Sequence, residues 1–197
     1  MSAVINKDAI SAKKYLQNEL SSNIKHELIA GQIEAMAGAS KNHERIAGNI
    51  YAEFNHHLKN SPCEPFASDI KVKAGGNFFY PDVMVVCDDK TEDKHYTEYP
   101  VIIIEVLSQS TYQKDRTTKR FSYLNLPSLL EYVLVEQDFV DIEVLRKQDD
   151  WKSRHYFLGD IVTFDSIQLS LAVEEIYHRV QNQDMVDFMN KKTSPEI

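Results

Sequence analysis

Two acidic residues stand where acids are costly. Asp82 lies in FFYPDVMVVC and Glu105 in YPVIIIEVL, each inside an otherwise apolar run. Consecutive apolar positions predict strands covered on both faces. An unpaired buried carboxylate there costs several kcal/mol or takes up a proton. If the two strands pair antiparallel through the polar connection Asp88 to Glu98, opposing Asp82 to Glu105 centres the pairing between Asp93 and Lys94, the middle of that connection. Opposed residues share a face, with Cβ atoms roughly 4.5–5.5 Å apart. Two like charges that close repel unless a divalent cation lies between them. Mg²⁺ is the natural candidate, because it uses one or two carboxylates together with water and phosphate oxygens. The alternative is structural: Glu105 paired with a lysine or arginine, and Asp82 a turn residue after Pro81.

Beyond Glu105 runs SQSTYQKDRTTKR, the densest basic cluster in the chain. Ser108, Ser110 and Thr111 are all suitable helix N-caps. The helix they start would present Lys114, Arg116, Lys119 and Arg120 within two turns. One reading places a lysine near the metal, with Arg116 and Arg120 contacting phosphate. The other is a solvated face carrying an Asp115–Lys119 pair at i,i+4, worth about 0.3–0.5 kcal/mol.

These residues need a scaffold. Asp8 to Leu20 is helical in pattern, and KHELIAGQIEAMA is a hairpin turning near Gly31-Gln32. Ser40 to Lys59 is a second helix, with Ile46, Ala47, Ile50, Phe54 and Leu58 as its apolar stripe. Pro62 and Pro65 interrupt the pattern before short strands at Asp69 to Lys73, Phe78 to Cys87 and Tyr99 to Leu107. Ser108 to Asn125 is a helix halted near Pro127. Glu131 to Glu136 and Phe139 to Leu145 form a hairpin, and further strands occupy Trp151 to Leu171. Residues 181–197 make a polar, loosely held tail. Residues 1–197 thus form a single α+β domain.

The composition excludes several classes. With 43% apolar and 26% charged residues among 197, the chain is neither disordered nor fibrous. No apolar run approaches the ~20 residues that span a bilayer, so no membrane partner is expected. The N-terminus lacks the apolar segment of a secretory signal, which makes the cytoplasm the expected location. Two cysteines, Cys63 and Cys87, are too few for a disulfide scaffold and too separated for a clustered zinc site. Twenty-two basic against thirty acidic residues give −8, the wrong sign for coating nucleic acid. A local basic patch with a bound cation is still compatible with a phosphate substrate.

The segments YPDVMVV, IIEVLSQST and DRTTKRFSYLNL followed by EYVLV resemble the Uma-type endonuclease family, a bacterial domain of largely unknown function assigned to the PD-(D/E)XK nuclease fold. The resemblance extends roughly from Gly31 to Arg146 and includes a helix bearing His43. It implies a restriction endonuclease-like fold, with a central mixed β-sheet flanked by helices. It also implies a metal-dependent phosphodiesterase acting on DNA, double-stranded for preference. Asp82 and Glu105 would be catalytic and would hold Mg²⁺, with Mn²⁺ as a substitute. The superfamily's usual lysine would fall at Leu107; the resemblance places it instead on the following helix, with Lys119 the choice and Lys114 second. Glu44 and Asp115 are accessory candidates. Glu44 is otherwise a solvated first-turn glutamate, and His43 a packed histidine on the apolar stripe. His56 and His57 are adjacent and face different directions, a poor metal pair. Val133 stands where the family often has tryptophan. Nucleases that cut both strands often pair two active sites, so a homodimer is expected by analogy. The alternative is a nuclease-derived binding or dimerisation module without catalysis, consistent with Leu107 and the net charge. A weaker third option is hydrolysis of a small phosphate compound.

Overall fold

The computed structural model describes residues 9–193. Ser11 caps the first helix, α1 (Ala12–Glu19), its hydroxyl accepting the Lys14 N–H at 3.3 Å. The start expected at Asp8 lies outside the described residues. The hairpin of β1 (His26–Ile29) and β2 (Gln32–Ala35) turns at Ala30 and Gly31, whose φ values of 49° and 82° suit a two-residue turn. Ser40 caps α2 (Lys41–Leu58), and Ile46, Ile50, Phe54 and Leu58 are buried, as their spacing predicts.

Next come β3 (Cys63–Ala67) and β4 (Lys71–Ala74). β3 was hidden by Pro62 just before it and Pro65 within it. It is an edge strand, where a missing N–H can face away from the ladder. The strand expected from Phe78 to Cys87 is two strands, β5 (Asn77–Phe79) and β6 (Val83–Cys87), and they belong to different sheets. The break falls at Tyr80-Pro81-Asp82, because Pro81 has no N–H to give a ladder. Asp82 therefore sits where the chain crosses from one sheet to the other. β7 (Tyr96–Thr97) and β8 (Pro100–Leu107) follow.

The connection to β9 (Glu131–Glu136) is a helix of three joined parts: α3 (Tyr112–Lys114), a π-helical turn (Asp115–Lys119) and α4 (Arg120–Leu124). It supplies the crossover that a parallel β8–β9 pair requires. Then come β10 (Ile142–Arg146), β11 (Ser153–Tyr156), β12 (Ile161–Phe164) and β13 (Leu169–Ala172). The short α5 (Val173–Ile176) precedes α6 (Gln183–Thr193). α6 occupies most of the stretch expected as a loose tail, and its Met185 is buried in the core.

The central six-stranded sheet has the order β11-β10-β9-β8-β6-β3; only the β8–β9 pair is parallel, so the sheet is mixed. A five-stranded sheet (β2-β1-β5-β4-β7) and the β12–β13 pair complete the architecture, an α+β fold with a central mixed sheet flanked by helices, as expected. Val83, Val85, Ile104 and Val106 pack with α2 on one face. Met84, Ile103 and Leu107 pack with Tyr123 and Tyr132 on the other. Cover on both faces accounts for the unbroken apolar runs. Cys63 and Cys87, too few for a scaffold, nonetheless oppose each other across β3 and β6 and form one disulfide. Among the described residues no helix is long and apolar enough to cross a membrane.

Candidate active site

β6 and β8 pair antiparallel, with Val83 opposite Ile104 and Met84 opposite Ile103. One further step in that register opposes Asp82 to Glu105, the arrangement predicted from the midpoint of the connection. There a side chain extends the pairing: the Val106 N–H donates to Asp82 Oδ2 at 2.7 Å. Glu105 is 2% exposed, and its Oε1 accepts the Tyr123 hydroxyl at 2.9 Å and Lys119 Nζ at 3.1 Å.

Lys119 is the hub of the cluster. Its ammonium lies 3.1 Å from each of three carboxylates, those of Glu105, Glu27 and Asp115. All four side chains are buried. The Asp115–Lys119 pair thus exists at the predicted spacing, but inside the protein rather than on a solvated face. Both residues lie in the π turn, a helix irregularity frequent at functional sites. Neighbouring hydroxyls bond back to carbonyls four residues earlier, Thr117 to Gln113 at 2.6 Å and Ser122 to Thr118 at 2.8 Å. Such bonds compete with helical ones and deform a helix.

Charge explains the proton positions. Burial pushes the Lys119 pKa down, but Glu105, Glu27 and Asp115 outweigh it and hold its pKa well above the ordinary lysine range. Burial lifts the Glu105 pKa well above the carboxylate range. Lys119 opposes that rise, while Asp115, Asp82 and Glu27 add to it. Burial likewise raises Asp115, against Lys119 and Thr111. The centre is short of positive charge.

Glu27 escaped the sequence reading. It carries the same signal as Glu105, an acid beside the buried Leu28 and Ile29, in a strand of only four residues. Its Oε1 also accepts the Tyr80 N–H at 3.3 Å. Lys114, the second-choice lysine, lies 3.4 Å from Glu27 and 2.6 Å from Glu34 and so ties the helix to the β1–β2 hairpin. His43, expected as a packed histidine, instead places Nε2 3.2 Å from Asp82 Oδ2. Burial lowers its pKa, but the Asp82 contact and charge raise it by more. Glu44 is exposed at the cleft wall. His57 is engaged by the Ile167 carbonyl at 2.8 Å.

Arg116 and Arg120, expected on phosphate, do not join this centre. Arg116 pairs with Glu136 at 3.3 Å and with Glu143, and Arg120 lies 3.5 Å from Glu143. Neither lines the cleft. Buried acids on β9 and β10 claim these guanidinium groups.

Asp82, Glu105, Asp115, Lys119, His43 and Glu27 all line one cleft of about 450 Å³. Among the described residues, no three His, Cys, Asp or Glu side chains form a ready-made metal cage. Two carboxylates on a shared face do suit a hard cation that takes its remaining ligands from water and phosphate. The second oxygens, Asp82 Oδ1 and Glu105 Oε2, accept no hydrogen bond from a described residue, whereas Oδ2 and Oε1 are engaged. The donor set fits Mg²⁺.

The fold, with a central mixed sheet flanked by helices, is of restriction endonuclease-like class. The chain belongs to the Uma2 family, described as "Putative restriction endonuclease", whose model matches residues 12–174. Two uncharacterized proteins of Synechocystis sp. are similar to it. One is 39% identical over 173 residues, covering 85% of this chain and 91% of the relative. The other is 34% identical over 167 residues, covering 82% and 93%. The fold is shared with a crystal structure from Anabaena variabilis described as "a putative nuclease belonging to DUF820", with TM-score 0.73 and 18% identity over 87% of this chain and 99% of that one.

Proposed function

We propose that the chain is a Mg²⁺-dependent endodeoxyribonuclease that hydrolyses phosphodiester bonds, with double-stranded DNA as substrate and Mn²⁺ able to replace Mg²⁺. The observation that carries this reading is the position of Lys119. Its amine lies 3.1 Å from Glu105, so the helix after β8 supplies the charge that Leu107 cannot.

Asp82 and Glu105 would hold the ion through Oδ1 and Oε2. The bound cation would polarise the scissile phosphate and acidify a coordinated water. Lys119 keeps its proton and fixes Glu105 while its field opposes the charge that builds on phosphate. Tyr123, donating to Glu105 Oε1, holds the same carboxylate in one rotamer. Asp115 holds Lys119 from its own helix. Lys114 and Glu44 are the accessory groups at the cleft wall.

Cleavage of supercoiled plasmid with Mg²⁺, with Mn²⁺ and with chelator tests the reading. Nicking or linearisation should require the ion and vanish in Asp82→Asn and Glu105→Gln. Undiminished cleavage by both variants overturns the assignment. A second reading, a binding module without catalysis, is favoured by one fact: Lys119 is 3% exposed and saturated by three carboxylates, as in a purely structural ion cluster. Absence of cleavage on any DNA, with the fold intact, would select it.

A further inference from the structure

His43 has no place in the roles assigned above, yet a closed set of contacts leads to it. Ser40, the cap of α2, uses its hydroxyl twice. It accepts the His43 N–H at 3.1 Å and donates to the side-chain carbonyl of Gln137. Gln137 is buried in the loop after β9, and its amide donates to the Leu107 carbonyl at 3.0 Å. Leu107 ends β8, two residues after Glu105. From β8 the path returns through the Val106 N–H to Asp82 Oδ2, which His43 Nε2 approaches at 3.2 Å. The first turn of α2 is thereby pinned to the end of the strand that carries Glu105, and the pin points an imidazole at Asp82.

The two ring nitrogens are unequal. Among the described residues Nδ1 is buried with no hydrogen-bond partner, while Nε2 makes the contact with Asp82. A histidine that served packing alone would leave one buried nitrogen unsatisfied without return. His43 Nε2 and the Val106 N–H both approach Oδ2, at 3.2 Å and 2.7 Å. Neither contact engages Oδ1 of this cleft-lining residue.

We infer that His43 is a positioning residue that orients the Asp82 carboxylate for cation binding, held by the Ser40–Gln137–Leu107 link. This rests on the metal-site reading above. Hydrogen-bond partners of metal-binding carboxylates typically contribute 10–100-fold to metal affinity. The test is calorimetric titration of Mn²⁺ into metal-free full-length protein, with melting temperature measured in parallel. His43→Ala should weaken Mn²⁺ binding by roughly 10–100-fold. His43→Gln, which keeps a donor near Nε2, should recover most of that loss. If His43→Ala does not fold, His43→Phe removes the donor while keeping the ring's bulk and should show the same weakening. Wild-type affinity in a folded His43→Ala or His43→Phe protein overturns the inference, as does a His43→Gln protein no tighter than His43→Ala. Failure of the wild type itself to bind Mn²⁺ overturns the metal-site reading and this inference with it.

Discussion

Lys119 and Glu105 meet at 3.1 Å although they are fourteen positions apart and lie on different elements, one on a π-helical turn and the other inside the central sheet. The contact brings an ammonium to Glu105 in a chain that has leucine two positions after it.

Removing that ammonium leaves Glu105, Glu27 and Asp115 buried together. Lys119→Met should destabilise the protein by about 3–5 kcal/mol, the usual consequence of orphaning a buried charge. Adding Glu105→Gln should cost less than the sum of the single effects, because the two residues share one network. Urea denaturation of the two single variants and the double variant measures this coupling.

Asp82→Asn and Glu105→Gln should each lower metal-dependent cleavage by at least about 10²-fold, the scale on which preorganised electrostatic groups act. Both should fold, since each keeps the shape and hydrogen-bonding size of the original. A plasmid assay with circular dichroism of the same samples separates lost chemistry from lost structure.

Arg116 is held by Glu136 on β9 and Glu143 on β10. Arg116→Gln leaves Glu136 without its cation and should cost about 1–3 kcal/mol of stability. Cleavage per folded molecule should stay at the wild-type level. A selective rise in KM for DNA would instead place this arginine on phosphate.

Lys71 supplies a pH signature away from the carboxylates. It is 5% exposed, its amine lies 5.0 Å from the Tyr80 ring centroid, and burial lowers its pKa from 10.5. Between the depressed folded pKa and 10.5 the unfolded chain binds more protons, so this lysine's contribution to stability rises with pH through that window and is lost as pH falls through the folded value. Lys71→Met removes the term. The melting temperature of wild type relative to Lys71→Met should therefore rise as pH approaches 10.5.

The Cys63–Cys87 bond closes a loop of 24 residues, for which chain entropy predicts about 3 kcal/mol. Reduction, or the double serine variant, should lower stability by that amount, read from the denaturant midpoint.

Much of this centre was legible in the chain because burial makes acids conspicuous. Asp82 and Glu105 interrupt apolar runs, and the length of the polar connection fixed their register. The same signal also marks Glu131, which accepts the Ser166 N–H and hydroxyl, and Glu136 and Glu143, which pair with Arg116 and Arg120. Nothing local separates the two groups. The difference lies in which strand faces which helix, a tertiary fact, and it turns Arg116 and Arg120 to the acids of β9 and β10. Glu27 was missed because its strand is too short for a burial pattern to stand out, and its partners Lys114 and Lys119 lie far along the chain. His43 falls on a helical apolar stripe, so its spacing said core; only the break at Pro81 brings Asp82 within its reach.

The most direct test is crystallographic. A crystal of the wild-type protein soaked in Mn²⁺, with data collected for anomalous scattering, should show one peak contacted by both Asp82 and Glu105, with Lys119 still on Glu105. No peak in the cleft, or a peak that touches neither carboxylate, would contradict the claim that these two acids share a cation.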